Sequence, residues 1–156
     1  MNITDVRIKL MGDPSDRLLA FCSITLDRCF VIRDLKIIDG ENGRFVAMPS
    51  RKLMARCPEC NNKNVLRARY CDQCGTELEP SDGVAVNGSR RPKLYADIAH
   101  PISAGCRKTL EKHVLEAYER ELELQNEPGY VCRYEDYGEE NFAQAAGEKH
   151  ATSDGA

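Results

Sequence analysis

Four of the eight cysteines fall into two Cys-x-x-Cys pairs, Cys57 with Cys60 and Cys71 with Cys74, separated by ten residues. A two-residue gap lets both thiolates of a pair reach one ion, and four thiolates complete a closed tetrahedral zinc site. Such a site leaves no position for a reactive water, so we expect one structural zinc ion and no catalytic activity. The spacer is shorter than the roughly 15–20 residues of common ribbons, but it accommodates a short hairpin through residues 65–70.

Alternative interpretations of the cysteines are secretory disulfides, a [4Fe–4S] cluster or a redox dithiol. The first residues, MNITDVRIKL, do not resemble a secretory signal, so we expect a cytoplasmic protein in a reducing compartment. Paired knuckles without a Pro-flanked four-cysteine run favour zinc over iron–sulfur. Cys22 is expected in the core, and Cys29, Cys106 and Cys132 lack paired spacing.

The residue that follows each cysteine pair is suited to a left-handed backbone. Gly75 follows the second pair and Asn61 follows the first. Glycine adopts positive φ without steric cost, and asparagine tolerates it better than most residues. Both positions are therefore expected to curl the backbone amides towards sulfur.

The charges of the chain are segregated. Residues 51–93 carry nine basic and five acidic groups, whereas residues 121–156 carry two basic and nine acidic groups. A basic centre favours contact with a polyanion such as DNA or RNA. The cations expected to contact nucleic acid are Arg51, Lys52, Arg56, Arg67, Arg69, Arg90, Arg91 and Lys93, with Lys63 extending the cluster. Arg67 and Arg69 would share one face of a strand, and exposed Tyr70 and Tyr95 could stack on bases.

The elements that must position these residues are strands followed by one helix. Leu18–Leu26 alternates with period two, residues 30–38 are rich in β-branched residues, and Ile3–Leu10 and residues 45–48 complete an antiparallel set. The glycines of residues 39–43 predict a hairpin turn. Residues 94–98 are expected to return to the sheet. Ser103 is the expected N-cap of a helix whose apolar stripe includes Leu110, Val114, Tyr118 and Leu122.

These elements define an α+β fold in three parts. Residues 1–50 and 94–125 form a discontinuous α+β domain, residues 51–93 form an inserted four-cysteine zinc ribbon with a flexible exit, and residues 126–156 form an acidic tail expected to be disordered. No run approaches 18 consecutive apolar residues, so no membrane-spanning helix is expected. The opposite charges of the tail and the centre suggest that the tail competes with nucleic acid.

The text flanking the cysteines resembles the SpoVG family of bacterial regulators. The similarity lies in residues 22–52, CSITLDRCFVIRDLKIIDGENGRFVAMPSRK, and residues 95–121, which begin YADIAHPIS, with residues 4–10 agreeing as the opening strand. The combination of IIDG, FVAMPSRK and DIAHPI is specific, and the two blocks cover about half of the chain. The family joins FVAMPS to DIAHP by a short loop, whereas here the cysteine module separates them.

The resemblance implies a small antiparallel sheet with a helix, a homodimer formed through its strands, and binding of DNA or RNA in the control of septation and sporulation-stage gene expression. It places Arg51 and Lys52 where the family has its basic pair. We therefore expect a non-enzymatic nucleic-acid-binding regulator. Two alternatives remain: a protein-interaction adaptor that grips its partner through the ribbon, and a metalloenzyme, which would need an open coordination position.

Overall fold

A computed structural model describes residues 1–13, 15–85 and 91–135. Its contacts divide the chain into two compact units. The sheet unit comprises Met1–Ala47 together with the chain from Ile102 onward, and the cysteine unit comprises Met48–Pro101. The cysteine unit is thus wider than the insertion predicted at residues 51–93, because it includes the residues on both sides of it.

The sheet unit contains a four-stranded antiparallel sheet with the order β1-β2-β3-β4. Its strands are β1 (Ile3–Leu10), β2 (Leu18–Leu26), β3 (Phe30–Gly40) and β4 (Gly43–Ala47). The bounds of β1 and β2 are those predicted, and β3 continues two residues further than expected. The turn between β3 and β4 therefore contains only Glu41 and Asn42, and Gly43 after it has φ +111°.

One helix, α1 (Ala104–Leu124), follows the sheet and confirms the α+β class. Its N-cap is Ser103, as predicted, whose Oγ accepts a hydrogen bond from the Cys106 amide at 3.1 Å. Because α1 contacts β1, β2 and β4, its buried stripe packs on one face of the sheet. The core of this interface comprises Ile8, Cys22, Ile24, Leu35, Ile37 and Val46 from the sheet and Leu110, Val114, Ala117 and Tyr118 from the helix.

The chain continues along a defined path beyond the helix. Residues 126–135, predicted as part of a disordered tail, contact the sheet unit, and Tyr134 is only 3% exposed. The Tyr134 hydroxyl donates a hydrogen bond to Asp34 Oδ1 at 3.1 Å. The expectation of disorder is therefore wrong for these ten residues, because a buried aromatic ring holds them. Residues 136–156 lie outside the described residues.

The cysteine unit contains two small antiparallel pairs. β5 (Ser50–Lys52) pairs with β8 (Tyr95–Asp97), and β6 (Met54–Arg56) pairs with β7 (Lys63–Val65). The expectation that residues 94–98 join the large sheet is wrong, because β8 finds its partner in β5. The hairpin expected through residues 65–70 is also wrong, because the chain turns directly after β7, with the Ala68 amide bonded to the Val65 carbonyl.

Candidate metal centre and basic surface

The four paired cysteines converge in the cysteine unit. Their sulfur atoms all lie within 4.8 Å of one another. Cys57 Sγ is 3.6 Å from Cys74 Sγ, and Cys60 Sγ is 3.5 Å from Cys71 Sγ. These distances exceed the roughly 2.05 Å of a disulfide bond. They approach the edge of about 3.8 Å that a regular tetrahedron has when each sulfur lies about 2.3 Å from a central zinc.

Two similar backbone loops present the sulfurs. In the first loop, Cys57 O accepts from the Asn61 amide at 2.9 Å, and in the second, Cys71 O accepts from the Gly75 amide at 2.9 Å. Asn61 has φ +62° and Gly75 has φ +74°. The predicted left-handed positions are thereby confirmed in both loops.

Asn64, which the sequence analysis did not single out, connects the two loops. It is 3% exposed and lies on β7. Its Oδ1 accepts from the Asp72 amide at 3.0 Å, and its Nδ2 lies 3.4 Å from Cys71 Sγ and 3.2 Å from Asn62 O. Asn64 belongs to neither Cys-x-x-Cys pair, so the spacing of the cysteines did not indicate it. A buried side-chain amide that contacts a thiolate fixes the orientation of that thiolate, as the outer partners of metal ligands do.

The ionisation of the cysteines reflects this crowding. The backbone amide of Cys74, followed by the Asn64 side chain, lowers the pKa of Cys71 to about 6. The hydroxyl of Thr76, followed by its amide, lowers the pKa of Cys74. The amide of Asn62 favours the Cys60 thiolate, but desolvation and the neighbouring sulfurs raise the pKa of Cys60 to about 12.

This donor set fits a metal ion. Negative charge on neighbouring sulfurs must be neutralised by protons or by a cation, and a soft divalent cation suits four thiolates. Cys57 and Cys71 are buried, whereas Cys60 and Cys74 are exposed. Because the protein supplies all four ligands, the arrangement suits a structural site.

The remaining cysteines take no part in this cluster. Cys22 is fully buried in the sheet unit, as predicted, and burial raises the pKa of its thiol to about 12. Cys29 and Cys132 are exposed, and Cys106 is half-buried near the start of α1.

Most of the cations expected to contact nucleic acid are exposed in the cysteine unit. This group comprises Arg51, Lys52, Arg56, Lys63, Arg67, Arg69, Arg91 and Lys93, while Arg90 lies outside the described residues. Arg67 Nε lies 3.7 Å from Asp82 Oδ1 in a solvent-exposed ion pair. Arg67 and Arg69 do not share a strand face as predicted, because they lie beyond the end of β7.

The β6–β7 hairpin brings two of the cations together. Arg56 is the direct cross-strand partner of Lys63, so both side chains emerge on one face of the hairpin. Met54 and Val65 form the next pair on that face, and both are more than 40% exposed. Asn64 lies on the other face, towards the cysteines. The hairpin therefore directs its amide at the sulfurs and its cations at solvent.

The β5–β8 pair places a cation opposite an aromatic residue. Lys52 lies directly opposite Tyr95, which is 49% exposed, and Arg51 lies opposite Ala96. Tyr70, the other aromatic residue expected to stack on bases, is 63% exposed.

The fold and the cysteine cluster together define a class of protein: a small α+β domain with an inserted four-cysteine ribbon whose sulfurs could hold a metal ion. Comparison with known proteins identifies its family. The SpoVG family model matches residues 1–120. The chain belongs to the SpoVG family, as the resemblance of its flanking segments indicated.

Several relatives carry the name septation protein SpoVG. One from Myxococcus xanthus is 37% identical over 122 residues, which cover 78% of this chain and 84% of the relative. One from Bdellovibrio bacteriovorus is 32% identical over 147 residues and is covered completely, with 91% of this chain. One from Lachnospira eligens is 38% identical over 120 residues, covering 77% of this chain and 93% of the relative. Within the described residues, none of the helices has the length and apolar character needed to cross a membrane.

Proposed function

We propose that this SpoVG-family protein is a nucleic-acid-binding regulator of septation or gene expression, and that its cysteine unit contributes directly to binding. The observation that carries the proposal is the exposed Arg56–Lys63 pair on the β6–β7 hairpin. Like charges directly opposite each other destabilise a sheet. The repulsion between Arg56 and Lys63 is offset when a phosphate binds between the two side chains and counterions are released from the nucleic acid. No catalytic role is proposed.

Zinc is the proposed occupant of the cysteine cluster. The support is the all-thiolate donor set with sulfur separations of 3.5 and 3.6 Å. Elemental analysis of protein purified without added metal should give one zinc per chain. The double variant Cys60→Ser Cys74→Ser should contain none, and iron with visible absorption would instead indicate an iron–sulfur cluster.

The binding proposal is tested by anisotropy of labelled single-stranded RNA and duplex DNA with the metal-loaded full chain. Replacing Arg56 and Lys63 by Ala should weaken binding and lower the salt slope of log K by about 1.4 to 1.8, because two phosphate contacts are lost. The matched control replaces Lys108 and Arg120, two exposed cations of α1, by Ala. An equal loss in both variants, or no binding to either polymer, would contradict the proposal.

The adaptor alternative has one observation in its favour. A cleft of about 380 Å³ in the cysteine unit is lined by apolar side chains, including Val65, Leu66 and Leu78, beside Arg56 and Glu77. An adaptor would bind its partner with little dependence on salt, unlike a phosphate-binding surface. Salt-independent capture of a protein that Leu78→Glu abolishes would therefore favour the adaptor.

A homodimer is proposed for the sheet unit on the basis of family membership. The support in this chain is β4, an edge strand of the sheet, on which Phe45 is 43% exposed. An edge strand presents unpaired backbone N–H and C=O groups, which can pair with the same strand of a second copy. Light scattering should give twice the chain mass, and a monomer at tens of micromolar would contradict the proposal.

A further inference from the structure

The sheet face opposite α1 carries a group of cations that the sequence analysis did not single out. The register places Lys9, Phe21 and Lys36 in one cross-strand row and Arg7 with Ser23 in the neighbouring row. Directly opposed residues of an antiparallel sheet project from the same face. This surface, the basic face, comprises Arg7, Lys9, Arg33 and Lys36 around Phe21. Its acidic residue on β1 is Asp5, whose Oδ2 lies 3.0 Å from Arg7 Nε.

Residues 130–135, here termed the strap, lie against the basic face. The Glu135 carboxylate contacts Lys9 Nζ at 3.4 Å and Arg33 Nη2 at 3.1 Å. The Arg33 guanidinium lies 5.2 Å from the centre of the Tyr134 ring. Arg7 Nη1 donates to the Arg133 carbonyl at 3.3 Å.

These contacts reproduce the two chemistries by which a nucleic-acid strand is held. An anionic group bridges two cations, as a backbone phosphate would, and an aromatic ring stacks against a guanidinium, as a base would. Residues 130–135 contain one acidic and one basic group, so Glu135 is the single carboxylate of the strap. The basic face thus holds one carboxylate and one aromatic ring in the places where a phosphate and a base could bind.

The sheet is shaped locally to receive the strap. Its register shifts between Cys22 and Ile24, and Asp34, opposite this shift on β3, has φ +63°. This strained residue forms two hydrogen bonds with the Tyr134 hydroxyl. The Asp34 amide donates to the hydroxyl oxygen at 3.4 Å, and the hydroxyl donates to Asp34 Oδ1 at 3.1 Å. Ser23 is fully buried beside it, and among the described residues its Oγ has no hydrogen-bond partner.

We propose that the basic face is a binding surface for single-stranded nucleic acid and that the strap competes with that ligand for it. Two solvent-exposed ion pairs and one stacked guanidinium hold the strap weakly, and the buried Tyr134 ring with its hydrogen bonds to Asp34 holds it more firmly. A strand that displaces the strap must therefore replace the contacts of Tyr134 by stacking a base at the same place while several of its phosphates contact the cations. All of the contacts named for the basic face lie within the sheet unit, and the inference rests on the proposed function, nucleic-acid binding by this chain.

The test compares strap variants of the full chain by anisotropy with a labelled single-stranded oligonucleotide at low salt. Tyr134→Ala with Glu135→Ala should tighten binding by roughly three- to tenfold, because the competing segment is released. Replacing Lys9 and Arg33 by Ala in addition should abolish this gain and lower the salt slope by about 1.4. Circular dichroism of each variant checks that the sheet unit remains folded.

Two controls separate this proposal from its alternatives. Glu123→Ala removes one exposed carboxylate outside the strap and should leave the affinity for the oligonucleotide unchanged. A gain equal to that of the strap variant would show that the effect depends only on the net charge of the chain. The strap substitutions are repeated with Arg56 and Lys63 replaced by Ala, so the gain can appear even if the cysteine unit does not bind. No gain in either background, or tighter binding of polyglutamate than of the oligonucleotide, would overturn the proposal.

Discussion

At the residue scale, the buried Asn64 side chain connects the two cysteine loops. Its side chain reaches an amide, a carbonyl and a sulfur on two different loops. Asn64→Ala should lower metal affinity by about 10- to 100-fold, because partners of metal ligands fix ligand orientation. Competition with a chromophoric chelator measures this, and Gln73→Ala, at an exposed position of the second loop, is the control. Equal affinities in the two variants would contradict the bridging role.

Cys22 provides a pH-dependent prediction. Its thiol pKa is raised from 9.0 to about 12 by burial, so the folded state retains a proton that the unfolded state loses above pH 9. Stability of the sheet unit should therefore fall as pH rises through 9 to 12, by at most about 1.4 kcal/mol per pH unit from this group.

The measurement is the alkylation rate of Cys22 between pH 8 and 10, with exposed Cys29 as the internal reference. Cys29 should react rapidly throughout, and the rate for Cys22 should stay low until the sheet unit opens. Rapid modification of Cys22 at pH 8 would show that it is not protected in the core.

At the element scale, the N-cap of α1 is the simplest position to test. Ser103→Ala removes the acceptor for the Cys106 amide and should destabilise the sheet unit by about 1 kcal/mol. Ser103→Asp should restore most of this loss, because aspartate accepts the same hydrogen bond. Urea unfolding monitored by circular dichroism distinguishes the variants, and no difference between Ala and Asp would contradict the cap.

Metal removal should affect the two units differently. The strands of the cysteine unit are only three residues long, and Leu66 and Leu78 are only half-buried, so we expect the proposed zinc to supply most of the stability of this unit. A chelator at pH 7 should abolish amide protection at Asn61 and Gly75 while Val114 in α1 stays protected. Hydrogen exchange with mass spectrometry measures both, and unchanged protection at Gly75 would contradict metal-dependent folding.

The sequence predicted the elements that obey local rules. Period-two alternation located β2 to the residue, the bounds predicted for β1 were also observed, and the serine before an apolar stripe located the start of α1. The hairpin expected through residues 65–70 does not form, because the chain turns directly after β7 on its way to Cys71. That constraint is tertiary and leaves no periodic signal.

At the scale of the whole molecule, contacts distant in sequence account for what could not be predicted. Spacing alone indicated that the four cysteines converge, but the Asn64 bridge depends on a loop eight residues away. The strap depends on contacts between Asp34 and Tyr134, which are 100 residues apart. Composition indicated an acidic tail, yet no local pattern shows that one tyrosine within it is buried.

Binding of nucleic acid through the cations of this SpoVG-family chain should depend strongly on salt. The measurement is the slope of log K against log salt for labelled single-stranded RNA with metal-loaded full-length protein. We expect a slope of about −2 or steeper, which decreases in magnitude by about 1.4 when Arg56 and Lys63 are replaced by Ala. A slope near zero, or one that the substitutions leave unchanged, would contradict it.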